Sequence, residues 1–124
     1  AVIDDEPEIL EMYKDLFSDE FQVLSFGSPI DFLDGITNKT IPQLCLVISD
    51  YNMPKMTGLQ MIEKGHATGA QFPTLLLSGY VSKDVAVSAL NLGVNKVLEK
   101  PAPPDAIYKS AKELIKNFRL HNIE

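Results

Sequence analysis

Cysteine and basic residues are scarce in this sequence, and long apolar runs are missing from it. Cys45 is the only cysteine among 124 residues, so no internal disulfide can form, and we expect a reducing, cytoplasmic setting. The 11 Lys and Arg residues against 17 Asp and Glu leave a net charge of −6, which argues against nucleic acid as a direct partner. No apolar run approaches the roughly 20 residues of a membrane span, so we expect no membrane partner either.

Motifs for nucleotide binding are absent as well. Neither a Gly-rich dinucleotide turn nor a P-loop occurs, which disfavours a nucleotide site. The length is that of one domain, and we find no internal repeat or interdomain linker. We therefore expect residues 1–124 to form a single domain. The sequence starts at Ala1 without a Met, which suggests a start inside the first strand, and a further domain could follow Glu124.

The clearest strand signal is the unbroken apolar run from Leu44 to Ile48. It is rich in β-branched residues and too short for a helix, which is typical of a strand buried on both faces of a parallel sheet. Ser49-Asp50 ends the run, and a turn-rich segment with Pro54 follows. Asp50 thus falls where open α/β sheets bind ligands. Taken alone, it could equally be a loop or helix-capping carboxylate.

Apolar runs alternate with helix-period segments along the rest of the chain. Further strands are predicted at 1–3, 21–26, 72–78 and 95–99, and helices from 7 to about 18, from 28, from 59 to about 67, from 82 to 92 and from 104 onward. Alternation of this kind predicts βαβ units, hence an α/β domain with a doubly wound parallel sheet and helices on both faces. The carboxyl ends of all five strands then meet at one edge.

That edge gathers Asp4, Asp5, Asp50, Ser78 and Lys100, each following an apolar run. Converging carboxylates repel one another unless a cation lies between them, and oxygen ligands with room for water favour Mg²⁺. A lysine ammonium and a serine hydroxyl add donors for phosphoryl oxygens. The set therefore predicts a carboxylate that attacks phosphorus beside a metal ion. The alternative is an acidic rim in which Lys100 merely pairs with a neighbour.

These motifs, in this order, resemble response-regulator receiver domains of two-component signal transduction. The matching segments are Asp4-Asp5-Glu6, Asp50 to Gly58, Ser78-Gly79 and Lys100-Pro101. The likeness covers essentially the whole chain, and the combination is specific although each piece alone is weak. It implies a flavodoxin-like (βα)5 fold with five strands in the order 2-1-3-4-5. It also implies a phosphorelay switch rather than an enzyme, a phosphoacceptor domain that catalyses its own phosphorylation from a donor.

The resemblance assigns a role to each acidic residue of this edge. Asp50 would accept a phosphoryl group from a histidine kinase or a phosphotransfer protein. Asp5, Asp50 and the backbone carbonyl of Asn52 would bind Mg²⁺ directly, and Asp4 would bind it through a water molecule.

Roles follow for the residues around the acidic group. Ser78 would donate to the phosphoryl group and move with it, and Lys100 would make the second charge contact. Pro101 would follow a cis peptide bond. Asn52 and Tyr80 would border the path of the hydrolytic water, and we expect the Tyr80 ring to shield the phosphoryl group, giving slow self-dephosphorylation.

One position departs from the family pattern. Three residues before the lysine the family usually has a Tyr or Phe that rotates inward, whereas this chain has Val97. A branched aliphatic side chain has no ring whose rotation could transmit the movement of Ser78. An output domain or a second copy of the chain would still bind through the fourth helix, fifth strand and fifth helix. The packing change that carries the signal to this surface would differ from the usual ring rotation.

Two other functions fit parts of this pattern. A receiver-like interaction module independent of phosphorylation is kept open by Val97, although all five site residues are present. A phosphatase of the haloacid dehalogenase type also uses a nucleophilic Asp with Mg²⁺. It needs a second Asp two residues later, where this chain has Asn52.

Overall fold

A computed structural model describes residues 1–121 as five strands alternating with five helices. In chain order the elements are β1 (Val2–Ile3), α1 (Pro7–Phe17), β2 (Ser25–Phe26), α2 (Pro29–Thr37), β3 (Val47–Asp50), α3 (Gly58–Ala67), β4 (Thr74–Ser78), α4 (Lys83–Asn91), β5 (Lys96–Glu99) and α5 (Pro104–His121). The predicted end of the domain at residue 124 lies outside the described residues.

All five strands pair in parallel, in the order β2-β1-β3-β4-β5. The predicted α/β class and the flavodoxin-like strand order are therefore confirmed. Strand β3 lies in the middle of the sheet, where Ile48 pairs with Val2 on one side and with Leu75 on the other. Every residue of β3 is buried, as its apolar composition predicts.

The sheet separates two apolar layers. On one face, Phe32 of α2 and Met61 and Ile62 of α3 pack in the same cluster as Val47 and Leu76 of the sheet. On the other face, side chains of α1 and α5 pack against the alternate residues of the same strands; they include Tyr13, Phe17, Ile107, Ala111, Ile115, Ile48 and Leu75. Helices therefore cover both faces, as predicted.

Helices α2, α3 and α4 each begin after a residue whose hydroxyl caps the helix. Ser28 accepts a hydrogen bond from the Ile30 amide, Thr57 from Gln60 and Ser82 from Val85. Ser82 thereby fixes the start of α4 and, with it, the length of the loop that follows β4.

Two predicted strands differ most from the structure. Within the segment 21–26, only Ser25 and Phe26 pair with a neighbouring strand. Strand β2 lies at the edge of the sheet and pairs with β1 alone, and β1 has only two residues to pair with. The central strand begins at Val47 rather than at Leu44 and ends at Asp50. Leu44 is nevertheless buried in the core, so its apolar character reflects packing rather than strand pairing.

Among the described helices, none combines the length and the apolar character that crossing a membrane requires.

Candidate functional site

Three carboxylates meet at the carboxyl edge of the sheet. Asp4 and Asp5 follow β1, and Asp50 is the last residue of β3, the neighbouring strand. One carboxylate oxygen from each of the three lies within 4.8 Å of the others. Asp4 and Asp50 are 1% and 7% exposed, whereas Asp5 faces solvent. The arrangement is an acidic cluster that is open on one side only.

Lys100 already forms an ion pair with Asp50. Its Nζ lies 2.6 Å from Oδ1 of Asp50, and the side chains are 37% and 8% exposed, respectively. Burial by itself would lower the pKa of Lys100, but its contact with Asp50 and the nearby charge of Asp4 outweigh burial, so this pKa is raised. The ammonium thus balances part of the negative charge of the cluster.

The environment of Asp4 favours its neutral form. The pKa of Asp4 is raised to about 6, first of all by burial and also by the nearby charge of Asp50. A hydrogen bond from the Glu6 amide to Oδ1 of Asp4, 2.9 Å long, acts in the opposite direction. A cation bound beside Asp4 would lower its pKa, because a positive charge stabilises the ionised form of the carboxyl group.

Ser78 is the last residue of β4 and is 1% exposed. Its hydroxyl donates to the carbonyl oxygen of Tyr80 over 2.9 Å. Its own carbonyl accepts from the Lys100 amide over 2.7 Å, which fixes the end of β5 beside the end of β4. The serine therefore lies one strand from Asp50, with its donor already engaged.

Gly58, the first residue of α3, permits the close approach of α3 to β3. A Cβ at this position would lie 2.4 Å from the carbonyl oxygen of Asp50 and 2.8 Å from Cδ1 of Leu76. The Gly58 amide also donates to the Tyr51 carbonyl over 2.9 Å. The sequence placed Gly58 in a turn-rich segment but did not reveal this contact, because the contact depends on how α3 packs against β3.

Tyr13 of α1 is a neighbour of the site that the sequence did not single out. Its side chain is 2% exposed, and its pKa is raised by burial and then by the charges of Asp4 and Asp50. Together with Asp4 and Lys100 it lines a cleft of about 430 Å³ between α1 and the start of α5. The sequence did not indicate Tyr13, because its place beside the acids depends on how α1 packs against the sheet.

The remaining predicted positions surround the acidic cluster. Asn52 is exposed in the loop after β3, and the Lys100–Pro101 peptide bond is cis. Val97 of β5 is half-buried and packs against the core cluster of α2 and α3. Tyr80 is 75% exposed, so its ring lies in solvent in this structure.

The donor set suits a hard divalent cation. The acidic cluster offers oxygen ligands only, at separations that a single ion can bridge, and one side is open to water. Mg²⁺ prefers few carboxylates and keeps part of its hydration shell, which fits two buried acids and one exposed acid.

Comparison with known proteins agrees with this geometry. Residues 1–112 match the family described as the response regulator receiver domain. The transcriptional regulatory protein FixJ of Bradyrhizobium diazoefficiens is 31% identical over 107 residues, which are 86% of this chain and 51% of FixJ. The C4-dicarboxylate transport transcriptional regulatory protein DctD of Rhizobium meliloti is 31% identical over 120 residues, 96% of this chain and 25% of DctD. The chain thus spans about half the length of FixJ and a quarter of the length of DctD.

Solved structures of isolated receiver domains match over nearly the whole chain. A response regulator receiver domain from Clostridium thermocellum superposes with a TM-score of 0.83 at 28% identity, covering 96% of this chain and 94% of that one. A CheY-like receiver domain from Methanospirillum hungatei gives a TM-score of 0.88 at 24% identity, covering 98% and 95%. From the family match and the shared fold we conclude that this chain belongs to the receiver domains of two-component response regulators.

Proposed function

We propose that this receiver domain is a switch that accepts a phosphoryl group on Asp50. The observation that carries the proposal is the ion pair of 2.6 Å between Lys100 and a carboxylate at the end of the central strand, inside a cluster of three acids. An acidic rim without a function would not need to bury two of its three carboxylates. Phosphoryl transfer, in contrast, needs a positioned nucleophile and a fixed positive charge.

In the proposed reaction, a carboxylate oxygen of Asp50 attacks the phosphorus of a phosphohistidine on a histidine kinase or phosphotransfer protein. The new P–O bond forms as the P–N bond breaks, and the imidazole leaves with the electron pair of the broken bond. Lys100 neutralises charge on the transferring oxygens from its position beside Asp50. The burial of Asp50 keeps competing water away from the nucleophile.

Mg²⁺ is the proposed cofactor. Asp5, Asp50 and the backbone carbonyl of Asn52 would bind it directly, and Asp4 would act through a coordinated water. When bound, it supplies positive charge to the phosphoryl oxygens. Asp4 would then be held in its ionised form, so the energetic cost of burying its charge is offset by the ion.

The lifetime of the phosphorylated state would depend on the residues that border the acceptor. Asn52 is exposed and carries an amide that can orient water but cannot accept a proton near neutral pH. Tyr80 could shield the phosphoryl group only after its ring turns inward from its exposed position. We propose slow self-dephosphorylation, modulated by these two side chains.

The switch would act on a larger protein or on a partner in the cytoplasm. FixJ and DctD are transcriptional regulatory proteins and are longer than this chain. We propose that phosphorylation changes how α4, β5 and α5 contact an output domain or a second copy of the chain. Val87 and Leu90 of α4 are 47% and 76% exposed and would belong to this surface.

The proposal is tested by intact-mass measurement after incubation with acetyl phosphate, a small phosphodonor. We expect a gain of ~80 Da, the mass of one phosphoryl group, in Mg²⁺ and none in EDTA. Equal gains with and without Mg²⁺ would contradict the metal site, and no gain in either buffer would contradict phosphoacceptor function.

A further inference from the structure

The hydroxyl group of Tyr13 has no hydrogen-bond partner in the protein, although the residue is in the core. Tyr13 belongs to α1, and its side chain is 2% exposed. Within residues 1–121, no group donates to this hydroxyl or accepts from it. Buried polar groups in folded proteins are almost always hydrogen-bonded, to protein or to ordered water. The Tyr13 hydroxyl therefore has a proton to donate to something other than the chain itself.

The hydroxyl opens onto the cleft of about 430 Å³ between α1 and the start of α5. Asp4 and Lys100 line the same cleft, and most of its remaining lining is apolar. The charges of Asp4 and Asp50 both raise the pKa of Tyr13, after burial, which is the first cause. The phenol thus lies within reach of the electric field of the two buried acids, on an otherwise apolar wall.

Asp4 has a free acceptor to match this free donor. Its Oδ1 accepts from the Glu6 amide over 2.9 Å, and within the described part of the chain no group donates to Oδ2. Polar groups that share a cleft but do not touch are commonly bridged by water. At about 30 Å³ for each molecule, the cleft has room for several waters between Tyr13 and Asp4.

A donor beside Asp4 matters for metal binding. Acidic metal ligands are usually hydrogen-bonded in turn by a neighbouring group, which fixes their orientation. In the proposed function Asp4 acts through a coordinated water, so direct contact with the ion would not orient its carboxylate. A hydrogen bond that reaches the carboxylate from the Tyr13 side would favour the ionised form of Asp4 and hold it in place.

We propose that Tyr13 is a positioning residue for the metal site. Through water in the cleft, its hydroxyl donates toward the Asp4 carboxylate and strengthens the binding of Mg²⁺ by the acidic cluster. This inference rests on the Mg²⁺ site of the proposed function. If Tyr13 only filled space between α1 and the sheet, phenylalanine would serve equally well.

The test is an NMR titration of the unphosphorylated chain with Mg²⁺, comparing native chain with Tyr13→Phe. Loss of a group that supports a metal ligand weakens binding by about 10- to 100-fold, and for a contact relayed by water we expect about tenfold. The urea midpoint in EDTA should be unchanged or raised, because the lost hydroxyl has no partner in the protein. Tyr108→Phe, which removes a hydroxyl that donates to Glu20, is the control and should leave Mg²⁺ affinity unchanged.

Asp4→Asn shows whether Tyr13 acts through Asp4. In that background, Tyr13→Phe should change the Mg²⁺ affinity by no more than about twofold. Native affinity in Tyr13→Phe, or the same tenfold loss with and without Asp4, overturns the inference. Absence of Mg²⁺-dependent shifts in native chain contradicts the proposed metal site and the inference with it. Phosphorylation of Asp50 is decided separately, by the mass gain in acetyl phosphate.

Discussion

Nζ of Lys100 lies 2.6 Å from Oδ1 of Asp50, so the nucleophile of the proposed reaction is paired with a cation before phosphorylation. The pair joins the ends of β3 and β5, two strands that are separated by β4 in the sheet. In the absence of a metal ion, Lys100 is the cation that contacts this cluster of acids within the described residues. Its removal should therefore matter most when no divalent ion is present.

Lys100→Met keeps much of the side-chain stem and removes the charge. We expect it to lower the free energy of unfolding by about 1 kcal/mol in EDTA, a small value because the lysine side chain is partly exposed to solvent. Saturating Mg²⁺ should remove most of the difference, since the ion replaces the lost charge. Urea unfolding in both buffers measures the effect, with Lys96→Met, an exposed lysine of β5, as the control. A loss that is equally large in Mg²⁺ would show that Lys100 has a purely structural role.

The pKa of Asp4 predicts a pH dependence of stability. Its folded-state value of about 6 lies above its ordinary value of 3.8, so between these values the folded chain holds a proton that the unfolded chain releases. Asp4 therefore makes the free energy of unfolding fall as the pH rises through this window. Asp4→Asn should flatten the fall in EDTA, while Asp19→Asn, an exposed acid elsewhere, should not. Parallel pH profiles for native chain and Asp4→Asn would contradict this environment for Asp4.

Gly58→Ala should disturb both the fold and the site. The added Cβ would lie 2.4 Å from the Asp50 carbonyl oxygen, so α3 must move away from β3 or β3 must shift. Overpacking of this kind lowers the free energy of unfolding by about 1–3 kcal/mol, which urea unfolding measures. Because Asp50 would be displaced, its phosphorylation should also be slower. Gly27→Ala, where nothing lies within 4 Å of the added Cβ, is the matched control. Equal stability of the two variants would mean that the approach of α3 is not constrained.

Tyr80→Ala tests whether the ring turns inward after phosphorylation. If the ring covers the phosphoryl group once Asp50 is phosphorylated, the alanine variant should lose phosphate several-fold faster, because water then reaches the phosphorus in line with the breaking bond. The measurement is the decay of the phosphorylated mass after the donor is removed. Unchanged decay would show that Tyr80 stays in solvent, where it lies in the unphosphorylated structure.

The sequence predicted the positions of the strand ends well, because a buried parallel strand is a continuous apolar run and its end is marked by the first polar residue. Asp50 and Ser78 both fall at such ends in the structure. It overestimated β2, since the apolar residues around Val23 pack in the core without joining the ladder. Apolar character reports burial, and only pairing with a neighbour makes a strand.

Side-chain contacts within the site were beyond sequence reasoning. The ion pair of Lys100 with Asp50 and the hydrogen bond of Ser78 to Tyr80 depend on rotamers and on the separation of neighbouring strands. The exposure of Tyr80 depends on the direction in which a loop leaves the sheet. Periodicity places residues at an edge, but it does not say which of two partners a donor selects there.

The identity of the acceptor is tested most directly by locating the phosphoryl group. Native chain, Asp50→Asn and Asp5→Asn are incubated with acetyl phosphate and Mg²⁺, and their intact masses are compared. We predict a gain of ~80 Da in native chain and none in Asp50→Asn. Asp5→Asn should still be modified, but more slowly, because it keeps the nucleophile and loses a proposed metal ligand. An undiminished gain in Asp50→Asn would contradict the assignment of Asp50 as the phosphoacceptor.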